Sequence, residues 1–265
     1  MPILELPETA LYYEDQGTGE PLLLIPGFAS GAWSWAWQAD EMARTRRVVL
    51  FDPRGISHSK LNAGAAVTIK AIAEDAAALL DHLGISRANV LGISFGGFAA
   101  QEFALRFPDR VNKLILAATS FGGQSHVAPA AQVLEAFVPA EQKGDERSKM
   151  RQHLISAFLP DFVKQNGEAV ERFCLLREIN PVPEAVYMQQ LKEAYAFDAE
   201  KRSPQIAAQT LVLTGDLDAV VPMQNSLNLA AVIPDSKLEI IEGGGHMAFV
   251  EQAAEFNRRV NDFLS

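Results

Sequence analysis

The sequence predicts an α/β fold built on a mostly parallel sheet with helices on both faces, and three observations predict it. Several short runs are apolar at every position instead of every second one, as strands covered on both sides must be. They are Leu22-Leu23-Leu24-Ile25, Val48-Val49-Leu50-Phe51, Val90-Leu91-Gly92-Ile93, Leu114-Ile115-Leu116-Ala117 and Leu211-Val212-Leu213. Between them lie stretches whose apolar residues recur at helical spacing. Strands that alternate with helices imply parallel neighbours joined by right-handed crossovers.

Residues 3–6 and 10–14 read as short strands around the Pro7-Glu8-Thr9 turn, a plausible opening hairpin. The strand at 22–25 ends in Pro26-Gly27-Phe28-Ala29-Ser30-Gly31, a loop able to bring backbone N–H groups close to a ligand. Trp33, Trp35 and Trp37 follow, then a short helix through about Arg44. The strand at 47–51 runs into Asp52-Pro53-Arg54-Gly55-Ile56-Ser57-His58-Ser59. Thr68 to Leu83 carries helical spacing and stops at Gly84, a good terminating glycine. A strand at 88–93 delivers Ser94, and the helix after it ends at Phe107 because Pro108 cannot continue it. Another buried strand covers 114–118.

The rhythm breaks at Ser120. From 121 to 202 there is no convincing buried strand, only helical segments near 129–138, 146–159, 162–178 and 184–197, separated by prolines and by Gly144 and Gly167. This predicts a helical cap at 121–202 inserted into a core made of residues 1–120 and 203–265. Strand pattern returns at 210–214, a helix near 223–232 has Pro222 at its start, and 238–241 is the last strand. Gly243-Gly244-Gly245-His246 and an amphipathic helix of about 250–264 close the chain.

Composition bounds the function. A chain of 265 residues, 48% of them hydrophobic, can bury a full core. A net charge of −10 leaves no excess of Lys and Arg to neutralise phosphates, which argues against nucleic acid as a partner. No apolar run approaches the roughly 18 residues of a membrane span, and Met1-Pro2-Ile3-Leu4-Glu5 lacks the order of a signal peptide. A cytoplasmic protein without membrane contact is the expectation. Cys174 is alone, so no intrachain disulfide forms, and a packing role is expected for it. The five histidines show neither an H-E-x-x-H motif nor a pair four residues apart, and one cysteine cannot build a thiolate site, so no metal is expected; no other cofactor is expected either.

The chemistry gathers at Gly92-Ile93-Ser94-Phe95-Gly96, where a buried strand turns directly into a helix. So tight a corner strains its central residue and brings strand and helix into contact, which side chains at Gly92 and Gly96 would obstruct. The hydroxyl of Ser94 then stands on the turn beside the first free N–H groups of the helix. Alone, the motif is equally well read as a serine cap. Two further residues support the catalytic reading: Asp218, in Gly215-Asp216-Leu217-Asp218-Ala219-Val220-Val221-Pro222 after a strand, and His246, after the last strand. Asp216 is the alternative acid.

With these residues in this order, the chain resembles the α/β-hydrolase family along nearly its whole length, more weakly in the cap. The resemblance implies an eight-stranded, mostly parallel sheet flanked by helices, with Ser94 as nucleophile, Asp218 as acid and His246 as base. It assigns the oxyanion-binding N–H groups to Phe28 and Phe95. The Asp52-Pro53-Arg54-Gly55 loop and Ser59 also look like a family segment. Two departures stand out: Pro26-Gly27 replaces the His-Gly that many relatives carry before the oxyanion residue, and Ser57 stands where glycine is common.

Serine at the elbow argues against epoxide or haloalkane substrates, for which relatives use aspartate. The remaining expectation is acyl transfer on a small-molecule ester or lactone, with carbon–carbon bond hydrolysis or perhydrolysis possible on the same site. The branch of small carboxylesterases, enol-lactonases and non-metal haloperoxidases fits best in size and layout. A receptor on the same fold is the rival of another class. Phe121, Phe137, Val220 and Met247 are the expected pocket residues. Arg151, Arg172 and Arg177 in the cap are candidates for holding a lactone's carboxylate, though a solvated helix face explains them equally.

Overall fold

The structure is a computed structural model that describes residues 1–131, 133 and 145–265. Its strands are β1 (Ile3–Glu5), β2 (Thr9–Gln16), β3 (Glu20–Ile25), β4 (Arg46–Phe51), β5 (Lys60–Leu61), β6 (Ala88–Ile93), β7 (Val111–Ala117), β8 (Gln209–Gly215) and β9 (Ser236–Ile241). They form one sheet in the order β1-β2-β4-β3-β6-β7-β8-β9, with β5 beside β2. β1 and β2 run antiparallel to their neighbours, and the sheet is parallel from β4 to β9. The eight expected strands are present. The additional one, β5, has two residues against Thr9 and Ala10 of β2, too few to leave a periodicity.

The continuous apolar runs are explained by burial on both faces. Along β3, Leu23 and Ile25 join a core layer with Ile72, Leu79, Phe103 and Leu229, while Leu22 and Leu24 join the opposite layer with Trp35, Met42, Phe256 and Val260. From the first half of the chain, helices α1 (Ala39–Met42), α2 (Ile69–His82) and α3 (Phe95–Arg106) supply Met42, Ile72, Leu79 and Phe103, and the 3-10 turn Ala32–Trp35 supplies Trp35. Thr68 caps α2 by accepting the Ala71 N–H at 3.0 Å, and Gly84 past its end takes φ +66°.

Between β7 and β8 lie α4 (Glu146–Ser156), α5 (Pro160–Gln165), α6 (Gly167–Ile179) and α7 (Glu184–Ala196). The single helix expected at 162–178 is two, because Asn166 leaves the helical region at φ −128°, ψ +43° and Pro160 starts a new turn before it. The helix expected at 129–138 falls largely outside the described residues. The chain closes with α8 (Gln224–Val232), α9 (Ala248–Glu251) and α10 (Ala253–Leu264), so the expected last helix is interrupted at Gln252. Among the described residues no helix is long and apolar enough to cross a membrane.

The strand order decides where a site can form. From β3 the chain turns to β4 on one side, then crosses back to β6 on the other, so the loops after β3 and β6 part at neighbouring strand ends. Open α/β sheets hold ligands in the crevice that such a reversal leaves.

Candidate active site

Ser94 sits at that crevice, between β6 and α3, at φ +53° and ψ −121°. A non-glycine residue held there costs on the order of 1–3 kcal/mol, and neighbouring contacts fix it. Its N–H donates to the Ala117 carbonyl at 2.9 Å, and its own carbonyl accepts from the Gly97 N–H and the Thr119 hydroxyl at 2.9 and 2.8 Å. The flanking glycines are required by space. A Cβ on Gly96 would stand 2.3 Å from the Ile25 carbonyl oxygen, and one on Gly92 would stand 2.3 Å from that of Gly96.

The imidazole of His246 lies between Ser94 and Asp218. Its Nε2 is 3.2 Å from Ser94 Oγ, and its Nδ1 is 2.9 and 3.1 Å from the Asp218 oxygens. A carboxylate only accepts, so Nδ1 carries the proton and Nε2 presents its lone pair to the hydroxyl. Asp218 is itself aimed: Oδ1 accepts the N–H groups of Val220 and Val221 at 2.9 and 2.8 Å, and its side chain has no solvent exposure. Asp216, two residues earlier, is exposed, and its N–H donates to the Ile241 carbonyl. The Asp218 and His246 loops meet because glycines let their backbones touch; a Cβ on Gly215 would lie 2.0 Å from the Gly244 oxygen.

Behind the histidine, Glu251 accepts the N–H groups of Gly245 at 3.1 Å and Leu159 at 2.6 Å. Burial pushes its carboxyl above the usual range against the opposing pull of those two amides. It ties the His246 loop to the segment between α4 and α5.

The loop after β3 closes as a turn in which Ser30 N–H donates to the Gly27 carbonyl at 3.3 Å, with Ala29 at φ +50°. Among the described residues, the N–H groups of Phe28 in this turn and Phe95 at the start of α3 donate to no protein acceptor. The two rings pack edge to face at 6.1 Å. Beneath the turn, Asp52 is buried and accepts the N–H groups of Ala32 and His58 at 2.8 and 3.0 Å. Ser57 takes φ +49°, the region where glycine costs least, and its N–H donates to the Pro181 carbonyl. The serine at a family glycine position therefore keeps the glycine conformation.

Ser94 and His246 open into a cleft of about 80 Å³ whose described walls include Phe28, His153, Leu154, Phe173, Met247 and Phe249. Of the expected pocket residues, Met247 lies on this wall. Phe121 packs in the α2–α3 core layer, and Val220 donates its N–H to Asp218 at 2.9 Å. Phe137 lies outside the described residues. None of Arg151, Arg172 and Arg177 is on the described wall. Arg151 pairs with Glu171 and Glu178, Arg172 stacks 4.8 Å over Trp37, and Arg177 donates to the Asn180 carbonyl at 2.9 Å.

The family model for the alpha/beta hydrolase fold matches residues 20–253. The chain belongs to the α/β-hydrolase family. It is 31% identical to 2-hydroxymuconate semialdehyde hydrolase of Pseudomonas sp. strain CF600, over 95% of this chain and 89% of that protein. It is 29% identical to 2-hydroxy-6-oxo-6-phenylhexa-2,4-dienoate hydrolase of Comamonas testosteroni, over 98% and 93%. Among solved structures, a thermophilic esterase from Thermogutta terrifontis with malate bound superposes with a TM-score of 0.85 at 27% identity, covering 100% of this chain and 98% of that one.

Proposed function

We propose that this α/β hydrolase cleaves a carboxylic ester of a small to medium, largely apolar substrate through an acyl-enzyme intermediate. The observation that carries the reading is the continuous Asp218–His246–Ser94 relay, with steps of 2.9 and 3.2 Å, beside the unpartnered N–H groups of Phe28 and Phe95. Free serine is a weak nucleophile and needs an adjacent base, which in turn needs a group to fix its tautomer. His246 takes the Ser94 proton as Oγ attacks the carbonyl carbon, and Asp218 stabilises the imidazolium. The two N–H groups meet the developing oxyanion, the position where preorganised donors contribute most. His246 then gives the proton to the leaving alkoxide, and a water activated by the same imidazole releases the acid. Residues 121–202 act as the cap over this cleft.

A second reading, carbon–carbon bond hydrolysis, rests on the two relatives named above. Their substrates, as named, include a dienoate, whose carboxylate would need a cationic or hydrogen-bonding partner. The described cleft walls carry no Arg or Lys, while Ser30, Ser34 and His153 offer hydrogen-bonding side chains to such a carboxylate.

The deciding experiment compares p-nitrophenyl acetate and butyrate, a homoserine lactone, an enol-lactone and 2-hydroxy-6-oxo-6-phenylhexa-2,4-dienoate on the wild type and on Ser94→Ala. Steady multiple turnover of the esters, lost on the order of 10⁴-fold or more in Ser94→Ala and unaffected by a chelator, is the expected result. Near-wild-type ester turnover by Ser94→Ala would refute the assignment. A dienoate or lactone kcat/KM above that of every ester would replace the substrate class, and a single slow turnover would favour the receptor.

A further inference from the structure

Helix α7 reaches the core through three side-chain acceptors. Gln189 accepts the Val67 N–H at 2.8 Å, Glu193 accepts the Ile69 N–H at 3.0 Å, and Gln190 accepts the Ala29 N–H at 2.8 Å. Only the last lands on the turn that carries Phe28. Gln190 is fully buried, and while its Oε1 serves Ala29 its Nε2 has no partner among the described residues. Rotating the amide would not help, because the Ala29 N–H requires an acceptor. A buried donor is thus left unsatisfied to keep one acceptor in place, a poor exchange if packing were the side chain's only task.

The turn explains what the acceptor does. Ala29 occupies the third position of the Gly27–Ser30 turn at φ +50°, where glycine or asparagine is ordinarily favoured. Nothing in an alanine side chain sustains that conformation. The peptide between Phe28 and Ala29 is held at both ends, its carbonyl by the Ser30 hydroxyl at 3.1 Å and its N–H by Gln190. In this chain Pro26 stands where many family members place a histidine before the oxyanion glycine, and the Ala29 N–H is held by a side chain 161 residues away.

Given the hydrolase reading above, we infer that Gln190 is a positioning residue: its buried Oε1 locks the Gly27–Ser30 turn so that the Phe28 N–H is preset for the oxyanion, and it makes that donor depend on the seating of α7. An interaction needed only by the oxyanion acts in the transition state, so its loss lowers kcat and leaves KM nearly unchanged.

The test measures kcat and KM on p-nitrophenyl butyrate for Gln190→Met, which keeps the side-chain length without the acceptor, and for Gln189→Met, which removes an equivalent bond from the same helix to Val67. The expected result is a fall of roughly 10- to 100-fold in kcat for Gln190→Met, part of what losing a whole oxyanion donor costs, with little change for Gln189→Met. Adding Ala29→Gly to Gln190→Met should recover part of the loss, since glycine holds positive φ unaided. Equal losses in the two glutamine variants, a loss carried by KM, or no recovery with glycine would overturn the inference. Should Gln190→Met fail to fold, the smaller Gln190→Leu is judged by the same criteria. Loss of activity in Ser94→Ala, with unchanged kcat in Gln190→Met, would leave the hydrolase reading standing and remove this one.

Discussion

Replacing Asp218 by asparagine removes one charge and almost no volume, yet it should stop turnover. The Val220 and Val221 N–H groups both point at Oδ1, 2.9 and 2.8 Å away, so the amide oxygen of the asparagine must stay there. Its NH2 then occupies the position of Oδ2, 2.9 Å from His246 Nδ1. Two donors cannot face each other, so the imidazole proton moves to Nε2. That atom lies 3.2 Å from Ser94 Oγ and becomes a donor to the hydroxyl instead of its base. The nucleophile is left without an acceptor, a loss on the order of 10⁴-fold in kcat for a wrong tautomer, or about 5.5 kcal/mol of barrier. KM should change little, because the cleft walls are untouched. Asp216→Asn supplies the contrast: an exposed side chain away from the relay should alter kcat by no more than roughly twofold, the scale of an ordinary surface change. Steady-state hydrolysis of p-nitrophenyl butyrate measures both. If Asp218→Asn kept more than about a tenth of the wild-type kcat, less than 1.4 kcal/mol of barrier, or if Asp216→Asn were the more damaged, the tautomer argument would fail.

Gly96→Ala places a Cβ 2.3 and 2.4 Å from the Ile25 and Pro26 carbonyl oxygens, and neither is the end of a flexible side chain. It should destabilise the fold by more than about 3 kcal/mol, read as a lowered urea midpoint with activity falling in parallel; a midpoint near wild type would mean the elbow has slack. For Glu251, burial places the folded-state pKa above the unfolded one, so the folded state binds this proton more tightly. Its contribution to stability is fully present below the unfolded carboxyl pKa and is lost as pH rises through the folded value. Glu251→Gln cannot ionise, so its destabilisation relative to wild type should be larger at pH 4 than at pH 8. Urea unfolding at the two pH values checks the sign, and the opposite order would show that ionised Glu251 stabilises the fold.

Much of the site was legible because its signals are local. Ser94 is announced by glycines two residues to either side, and their role needs only the geometry of a strand meeting a helix. Asp218 and His246 follow the ends of recognisable strands. The choice between Asp216 and Asp218 had no local signature: both follow the same strand, and only the backbone amides of Val220 and Val221 and the approach of the His246 loop separate them. Gln190 and Glu251 were invisible for the same reason, since each is an ordinary polar residue on a helix until its partners at Ala29, Gly245 and Leu159 come within reach.

The sequence by itself determined the layered α/β architecture and the elbow, because periodicity and glycine sterics act between residues a few positions apart. It also marked where strands end, hence where polar residues can gather. Only the tertiary structure decided which acid faces the imidazole, which aromatic residues line the cleft and which sink into the core, and how α7 grips the turn at Phe28. Those outcomes depend on loops far apart in the chain that the reversal of strand order brings to one edge of the sheet, and a one-dimensional pattern carries no record of that meeting.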